Sequence, residues 1–413
     1  MKSPFEVTRV RNRLSLELFE QMLHTTSLRS QFVHLFINGE DFGLFTQVEQ
    51  YDQSFLENHG LDPNGHLYKA AFFEWARYPD NLKSKSDPSY DKDLFEQRLE
   101  FKTRDDHAKI LQLLDDINNP DLDFSRLFDQ YFNRENYLTW LAFNLLTSNI
   151  DTNSQNFLIY SPANSQTWYF LPWDYDGAWG FNRQPSRLDR QSARWQEGLS
   201  NYWNVSLHKR FMRIPQNRAD LEQTMRKLSK TVLTKENIGT VLDRYQSLVE
   251  TFISRPPDLT RLPTEIRTTT EAKVAEWLVE YHRLPSEIPF NEALYYAAVE
   301  RPMPIFLGNP QQKTTSIRFT WSESEQLLGR SFTYDFELSS SPSFEDGTIL
   351  EKRSGLSQLD LELSPLPPAG TYFFRVFIRS SETPETNWQL PFDTYFDDAN
   401  ELRFRGLKAF SIN

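Results

Sequence analysis

An α+β domain followed by an all-β sandwich is the architecture that the sequence predicts, and three observations predict it. Apolar residues recur at helical spacing as far as about residue 285, as in Tyr137, Leu138, Leu141 and Leu145. Two stretches of alternating or short apolar runs, at 32–50 and 156–173, interrupt the helices and read as hairpins. Beyond the Pro-containing stretch Arg301 to Lys313 the spacing changes to two, as in Phe332, Tyr334, Phe336 and Leu338. The first domain is therefore expected over 1–305 and the sandwich over 306–413.

The elements follow in order. Leu14, Leu18, Phe19, Met22 and Leu23 mark an amphipathic helix. Val33, Leu35 and Ile37 alternate before Asn38-Gly39, and Phe45 to Val48 resumes the apolar run, giving the first hairpin. A short strand from His66 to Ala70 carries Lys69. Ile110, Leu113, Leu114 and Ile117 predict one helix, and the run from Tyr137 to Leu145 a second. A polar segment, Thr147 to Gln155, then precedes strands at Asn156 to Tyr160 and Trp168 to Trp173, joined by a Ser-Pro-Ala-Asn-Ser turn. Further helices are expected around 241–252 and 274–281. In the sandwich, strands are expected at 317–321, 332–338, 359–363 and 372–378, with Ser339 to Ser343 in a loop.

Composition narrows the chemistry. The chain has 413 residues, more than one core usually serves, and 33 Phe, 17 Tyr and 10 Trp supply ample apolar surface. A formal charge of -12 disfavours nucleic acid and anionic membrane and favours a basic partner. Without cysteine there are neither disulfides nor thiolate metal sites, so a metal would be held by oxygen, as magnesium is. No apolar run is long enough to span a membrane, and Met1 to Glu20 is charged throughout, unlike a signal peptide. The chain is expected to be cytoplasmic unless a leader lies outside this sequence.

The chemistry-bearing residues cluster around the second hairpin. Asn149, Asp151, Asn153 and Asn156 lie before or at its first strand, and Asp174 and Asp176 follow its second. A hairpin returns on itself, so Asp151, Asn156 and Asp174 are expected at one edge. Phosphoryl transfer needs carboxylate and amide oxygens to hold a metal on the phosphates and a separate carboxylate to orient the attacking hydroxyl. Protein kinases set that Asp and Asn five residues apart, as Asp151 and Asn156 are, and their next hairpin ends at a metal-binding Asp, here Asp174 or Asp176. A structural calcium loop or a solvated Asx turn would use the same residue types. Trp173 and Trp179 read as core aromatics, and His34 and His107 as packed or surface residues.

Trp173-Asp-Tyr-Asp176-Gly-Ala-Trp-Gly180, preceded by Asp151-x4-Asn156-Phe-Leu-Ile-Tyr, resembles the CotH kinase family, named for the spore coat protein H of spore-forming bacteria. Phe36-Ile-Asn-Gly-Glu-Asp-Phe-Gly-Leu-Phe45, Leu67-Tyr-Lys69-Ala, Leu99-Glu100-Phe-Lys102-Thr103 and Asn204-Val-Ser-Leu207 are similar to further family segments, in family order. The resemblance implies an atypical two-lobed protein-kinase-like fold, with an N-lobe over about 1–105 and a C-lobe over about 106–305. It implies use of ATP with Mg2+ or Mn2+, a protein substrate phosphorylated on Ser or Thr, basic or Ser-rich, and a secreted or cell-surface location. Asp151 would be the general base. Lys69 would pair with the nucleotide phosphates, with Glu100 preferred over Glu49 and Glu96 as its carboxylate partner. Asn156, Asp174 and Asp176 would hold the metal. No Gly-rich phosphate loop is present. An inactive kinase-like surface module, or transfer of AMP or another group on the same fold, are the alternatives. The C-terminal segment around Trp321, Tyr334 to Ser339 and Pro367 to Val376 resembles a fibronectin type III-like domain.

Overall fold

The structure, a computed structural model, describes residues 1–184, 192–263, 269–398 and 402–412. The chain separates into two units: Met1–Gln191 with Asn204–Glu292, and Ser192–Trp203 with Ala293–Asn413.

The first unit opens with α1 (Arg11–Glu20) and the antiparallel hairpin β1 (Ser30–Ile37) and β2 (Glu40–Val48). Asn38 and Gly39 turn that hairpin with φ of 52° and 83°, the left-handed pair a two-residue turn requires. There follow α2 (Gln53–Asn58), β3 (His66–Ala70), α3 (Lys92–Glu96) and β4 (Leu99–Phe101). Helices α4 (Ala108–Asn118), α5 (Phe124–Tyr131) and α6 (Arg134–Thr147) lead to the hairpin β5 (Phe157–Ser161) and β6 (Tyr169–Pro172). Then come α7 (Ser206–Arg213), α8 (Pro215–Lys230), α9 (Lys235–Ile253), α10 (Thr270–Arg283) and α11 (Glu287–Glu300). The unit boundary falls inside α11, upstream of the position near 305 where the change of spacing lies.

Strands β3 to β6 form one antiparallel sheet in the order β4-β3-β5-β6. The lysine strand is thus hydrogen-bonded directly to the β5–β6 hairpin, with Lys69 opposite Leu158 on one side and Glu100 on the other. A lobe boundary near residue 105 does not part these strands, because the free edge of β3 is satisfied by β5. One face of the sheet, with Leu67, Leu158, Tyr160 and Leu171, packs on Leu16, Leu28, Tyr51, Phe55 and Leu56. From the other face Phe157 and Phe170 meet Trp75 and Trp140, large buried rings that anchor the sheet to the helices. Helix α6 is buried from Asn136 to Thr147, so it is enclosed all round and its amphipathic signal is weak. Asn133 caps its start by accepting from the Asn136 N–H, and Ser148, at φ 53°, ends it.

The second unit is the β-sandwich. Its strands are β7 (Gln311–Gln312), β8 (Ile317–Thr320), β9 (Phe332–Ser339), β10 (Ile349–Leu356), β11 (Asp360–Leu363) and β12 (Gly370–Ser380). They continue with β13 (Trp388–Gln389), β14 (Thr394–Asp397), β15 (Leu402–Arg405) and β16 (Leu407–Ile412). One sheet runs β10-β9-β12-β13 with β16 also on β12, and a second runs β11-β8-β7. Ile317, Phe319, Trp321, Tyr334, Phe336, Phe374 and Val376 fill the core.

Candidate active site at the hairpin edge

Strand pairing brings the sequence-singled residues together. Phe157 faces Pro172 in the β5–β6 ladder, so Asn156 and Asp174 leave the two strands at the same end. Both sit in the left-handed region, Asn156 at φ 61° and Asp174 at φ 58°. Asn and Asp are the non-glycine residues that adopt this region most readily, so the two positions turn the chain at one hairpin end. Asp151 lies in the short 3-10 turn Ile150–Asn153 after α6, and its carbonyl accepts from the Gln155 N–H at 3.1 Å.

The loop after β6 is held from a distance in sequence. The Tyr175 N–H donates to Asn12 Oδ1 at 3.0 Å, the Trp179 N–H to the Thr147 carbonyl at 2.6 Å, and Trp179 Nε1 to Ser15 Oγ at 2.8 Å. The Tyr51 hydroxyl donates to the Pro172 carbonyl at 2.8 Å. Helix α1 and the segment before α2 therefore fix the acidic loop, a dependence with no local sequence signal. Gly177 brings that loop back to Asp151: a Cβ there would lie 3.6 Å from Asp151 Oδ2.

The carboxylates repel one another. Asp174 is pushed up to about 6 by burial first, then by the charges of Asp176 and Asp151, against the opposing pull of Lys69. Asp151 is raised by burial and by Asp176. Among the described residues, none of Asp151, Asp174 and Asp176 accepts a side-chain hydrogen bond or forms an ion pair. Half-buried carboxylates left without partners are costly, a cost that protonation or a bound cation relieves.

The Lys69 ammonium lies 5.3 Å from the centre of the Trp173 ring and acts on Asp174. The expected Lys69–Glu100 ion pair is not formed. Glu100 stands opposite Lys69 in the ladder, but its carboxylate bonds the ammonium of Lys102, two residues on and on the same strand face. A cavity of about 310 Å³ is lined by Asp174 and Asp176 together with Asn12, Phe32, Phe45 and Thr46. Asp151, Asn156 and Lys69 lie outside its lining.

Among the described residues no three His, Asp or Glu side chains form a ready-made metal cage. The donors present, hard carboxylate oxygens with an adjacent amide, fit an oxygen-liganded divalent cation whose remaining ligands would be water and phosphate.

A sheet-borne acidic hairpin edge beside a lysine, backed by helices, is the arrangement of a kinase-like protein. Residues 4–288 match the family model described as CotH kinase protein, and the chain belongs to that family. It is 26% identical over 191 residues to the inner spore coat protein H of Bacillus subtilis, covering 45% of this chain and 51% of that protein. It is 26% identical over 266 residues to invasin CotH2 of Rhizopus delemar, covering 61% of this chain and 43% of that protein. The chain thus spans about half the length of the curated relatives it matches. A solved structure titled "Structure of FN3tt mut" covers 22% of this chain at 19% identity, with a TM-score of 0.15, and 87% of that structure's own chain.

Proposed function

We propose that this chain is a metal- and ATP-dependent phosphotransferase that acts on Ser or Thr hydroxyls of a partner protein. The observation that carries the reading is the group of three mutually repelling, unpaired carboxylates at the end of the β5–β6 hairpin, with Asn156 and Asp174 both held left-handed. Asn156 and Asp174, with Asp176 sharing or replacing the latter, would hold a divalent cation. When bound, that cation neutralises charge on the nucleotide phosphates. Lys69 presents its ammonium to the same phosphates. Asp151, raised by burial and by the charge of Asp176, orients the acceptor hydroxyl and takes its proton. Lys69 needs no carboxylate partner to be positioned, since the Trp173 ring face attracts its charge.

The acid excess of the chain suits a basic acceptor. The names of the two relatives, a spore coat protein and an invasin, support a surface location. No helix among the described residues is long and apolar enough to cross a membrane. The test is the intact mass of an acceptor protein incubated with the chain, ATP and magnesium. Addition of one or more phosphates is expected; addition of AMP, or no addition to any acceptor, would overturn the reading.

A further inference from the structure

The segment between β3 and α3 holds three aromatic residues in the left-handed region, Phe72 at φ 47°, Trp75 at φ 59° and Tyr78 at φ 43°. Bulky side chains rarely adopt that conformation, and a single one costs of order 1–3 kcal/mol. Two of the three are explained by what they bury. Trp75 packs fully buried on Phe132 and Phe170, and the Tyr78 ring carries the Arg98 guanidinium at 4.2 Å. Phe72 is different: its side chain is 62% exposed. An exposed Phe by itself needs no explanation. One held in a strained backbone while gaining no burial does.

The backbone around Phe72 is locked from both sides. Its carbonyl accepts from Arg98 Nη1 at 2.6 Å, and the Ala71 N–H donates to the Arg98 carbonyl at 3.0 Å. The next amide, of Phe73, donates to the Ser154 carbonyl at 2.7 Å. Ser154 belongs to the turn of Asp151, whose carbonyl accepts from the Ser154 N–H at 3.3 Å. Phe72 is therefore fastened, through one residue and two hydrogen bonds, to the turn that carries the proposed base. On the other side, the Glu74 carbonyl accepts from the Ser206 N–H at 3.2 Å, which pins the far end of the segment.

We infer that Phe72 is an acceptor subsite: it receives an apolar side chain of the acceptor polypeptide close to the Ser or Thr that is modified. The inference rests on the phosphotransferase reading for its occupant, and on the hydrogen bonds to the Asp151 turn for its place. The acceptor of such a reaction must lie along that turn for its hydroxyl to reach Asp151. An exposed aromatic ring on a backbone tied to that turn contributes contact area at low entropy cost, because its backbone is already fixed. Burying an aliphatic side chain against it discriminates by roughly 10- to 200-fold, the range of a small apolar contact.

The test uses the full chain and fluorescent Ser peptides that differ only in Leu or Ser at successive positions on either side of the acceptor. Binding is followed by anisotropy and phosphate incorporation by mass. Phe72→Asn is the informative variant, since Asn tolerates the left-handed region and removes the ring without straining the fold. It is expected to melt no lower than wild type. The wild-type protein should prefer Leu at one flanking position by roughly 10- to 200-fold, Phe72→Asn should lose that preference, and Phe72→Leu should restore part of it. An equal preference in wild type and Phe72→Asn, or none in wild type, overturns the subsite. The two readings fail separately: wild-type discrimination in anisotropy that depends on Phe72, with no phosphate incorporated, keeps the docking surface and rejects the phosphotransferase.

Discussion

At the residue scale, Asp151 and Asp174 are both pushed upward by burial and by carboxylate neighbours, yet their proposed tasks differ. In the proposed reaction Asp151 would touch the acceptor and not the phosphates. Asp151→Asn should therefore reduce transfer by ~100- to 10,000-fold, the usual scale of a general base, while nucleotide affinity measured by calorimetry stays near wild type. Asp174 is the pH-sensitive member. Because the fold raises it to about 6 from an ordinary value of 3.8, protonation favours the folded state. That contribution is complete below the unfolded value and is lost as pH rises through the folded one. Without divalent cation, Asp174→Asn should then be more stable than wild type at pH 7.5, by roughly 1–3 kcal/mol after allowance for partial exposure, and the gain should vanish near pH 4. Magnesium should raise the wild-type melting temperature at pH 7.5 and lose that effect near pH 5, which differential scanning calorimetry would read directly.

At the scale of elements, the parts that were legible in sequence are those whose signal is local. The Asn38-Gly39 turn, the strand from His66 to Ala70 and the hairpin around the Ser-Pro-Ala-Asn-Ser turn all appear at the expected places, within a residue or two. Strand β10 was not legible, because its outward Leu350 is half exposed and Gly355, at φ 71°, breaks the alternation with a register shift. Helices α7 and α8 are strongly polar and give little signal, whereas α5 is only eight residues long although Phe124, Leu127, Phe128 and Tyr131 stand at helical spacing in it. The residues that fix the acidic loop, Asn12, Ser15 and Tyr51, act through contacts more than a hundred residues distant in sequence. The same holds for its far end. Gly180, at φ 69°, lies against the Glu287 carboxylate, which binds Arg183 and Arg283, and Arg283 also donates to the Gly180 carbonyl at 3.1 Å. A methyl group at 180 meets that buried carboxylate and forces a left-handed alanine. Gly180→Ala should cost roughly 2–4 kcal/mol in urea unfolding, with a loss of transfer in the folded fraction because the Asp174–Gly177 loop shifts.

At the scale of the whole chain, the change from helical to alternating spacing near residue 306 locates the sandwich strands but not the compact unit that contains them. Ser192–Trp203 and the end of α11 belong to that unit as well. Glu197 pairs with Arg301, the Arg194 guanidinium lies 4.1 Å from the centre of the Trp388 ring, and the Trp195 and Phe392 ring centres are 5.4 Å apart. Gly198, at φ 55°, approaches Tyr295 so closely that a Cβ would lie 2.9 Å from its Cα. None of these contacts joins residues near in sequence, so no periodicity could announce them. A fragment starting at 306 keeps the central β-strands but loses all four contacts, and it uncovers one face of Trp388 and of Phe392. Aromatic and cation–π contacts of this kind contribute about 0.5–1.5 kcal/mol each, so the lost Arg194–Trp388 and Trp195–Phe392 contacts carry the difference, while the Glu197–Arg301 pair leaves with both its partners. For a domain of this size about 1 kcal/mol moves the melting temperature by about 4–8 °C. The fragment 306–413 should therefore melt at least about 10 °C below the sandwich transition of the full chain. A fragment from 293 should recover only part of the difference, since 192–203 is still missing, and adding a synthetic peptide of residues 192–203 to it should raise the melting temperature further. Equal melting of the 306–413 fragment and the intact chain would show instead that the sandwich is complete without the excursion.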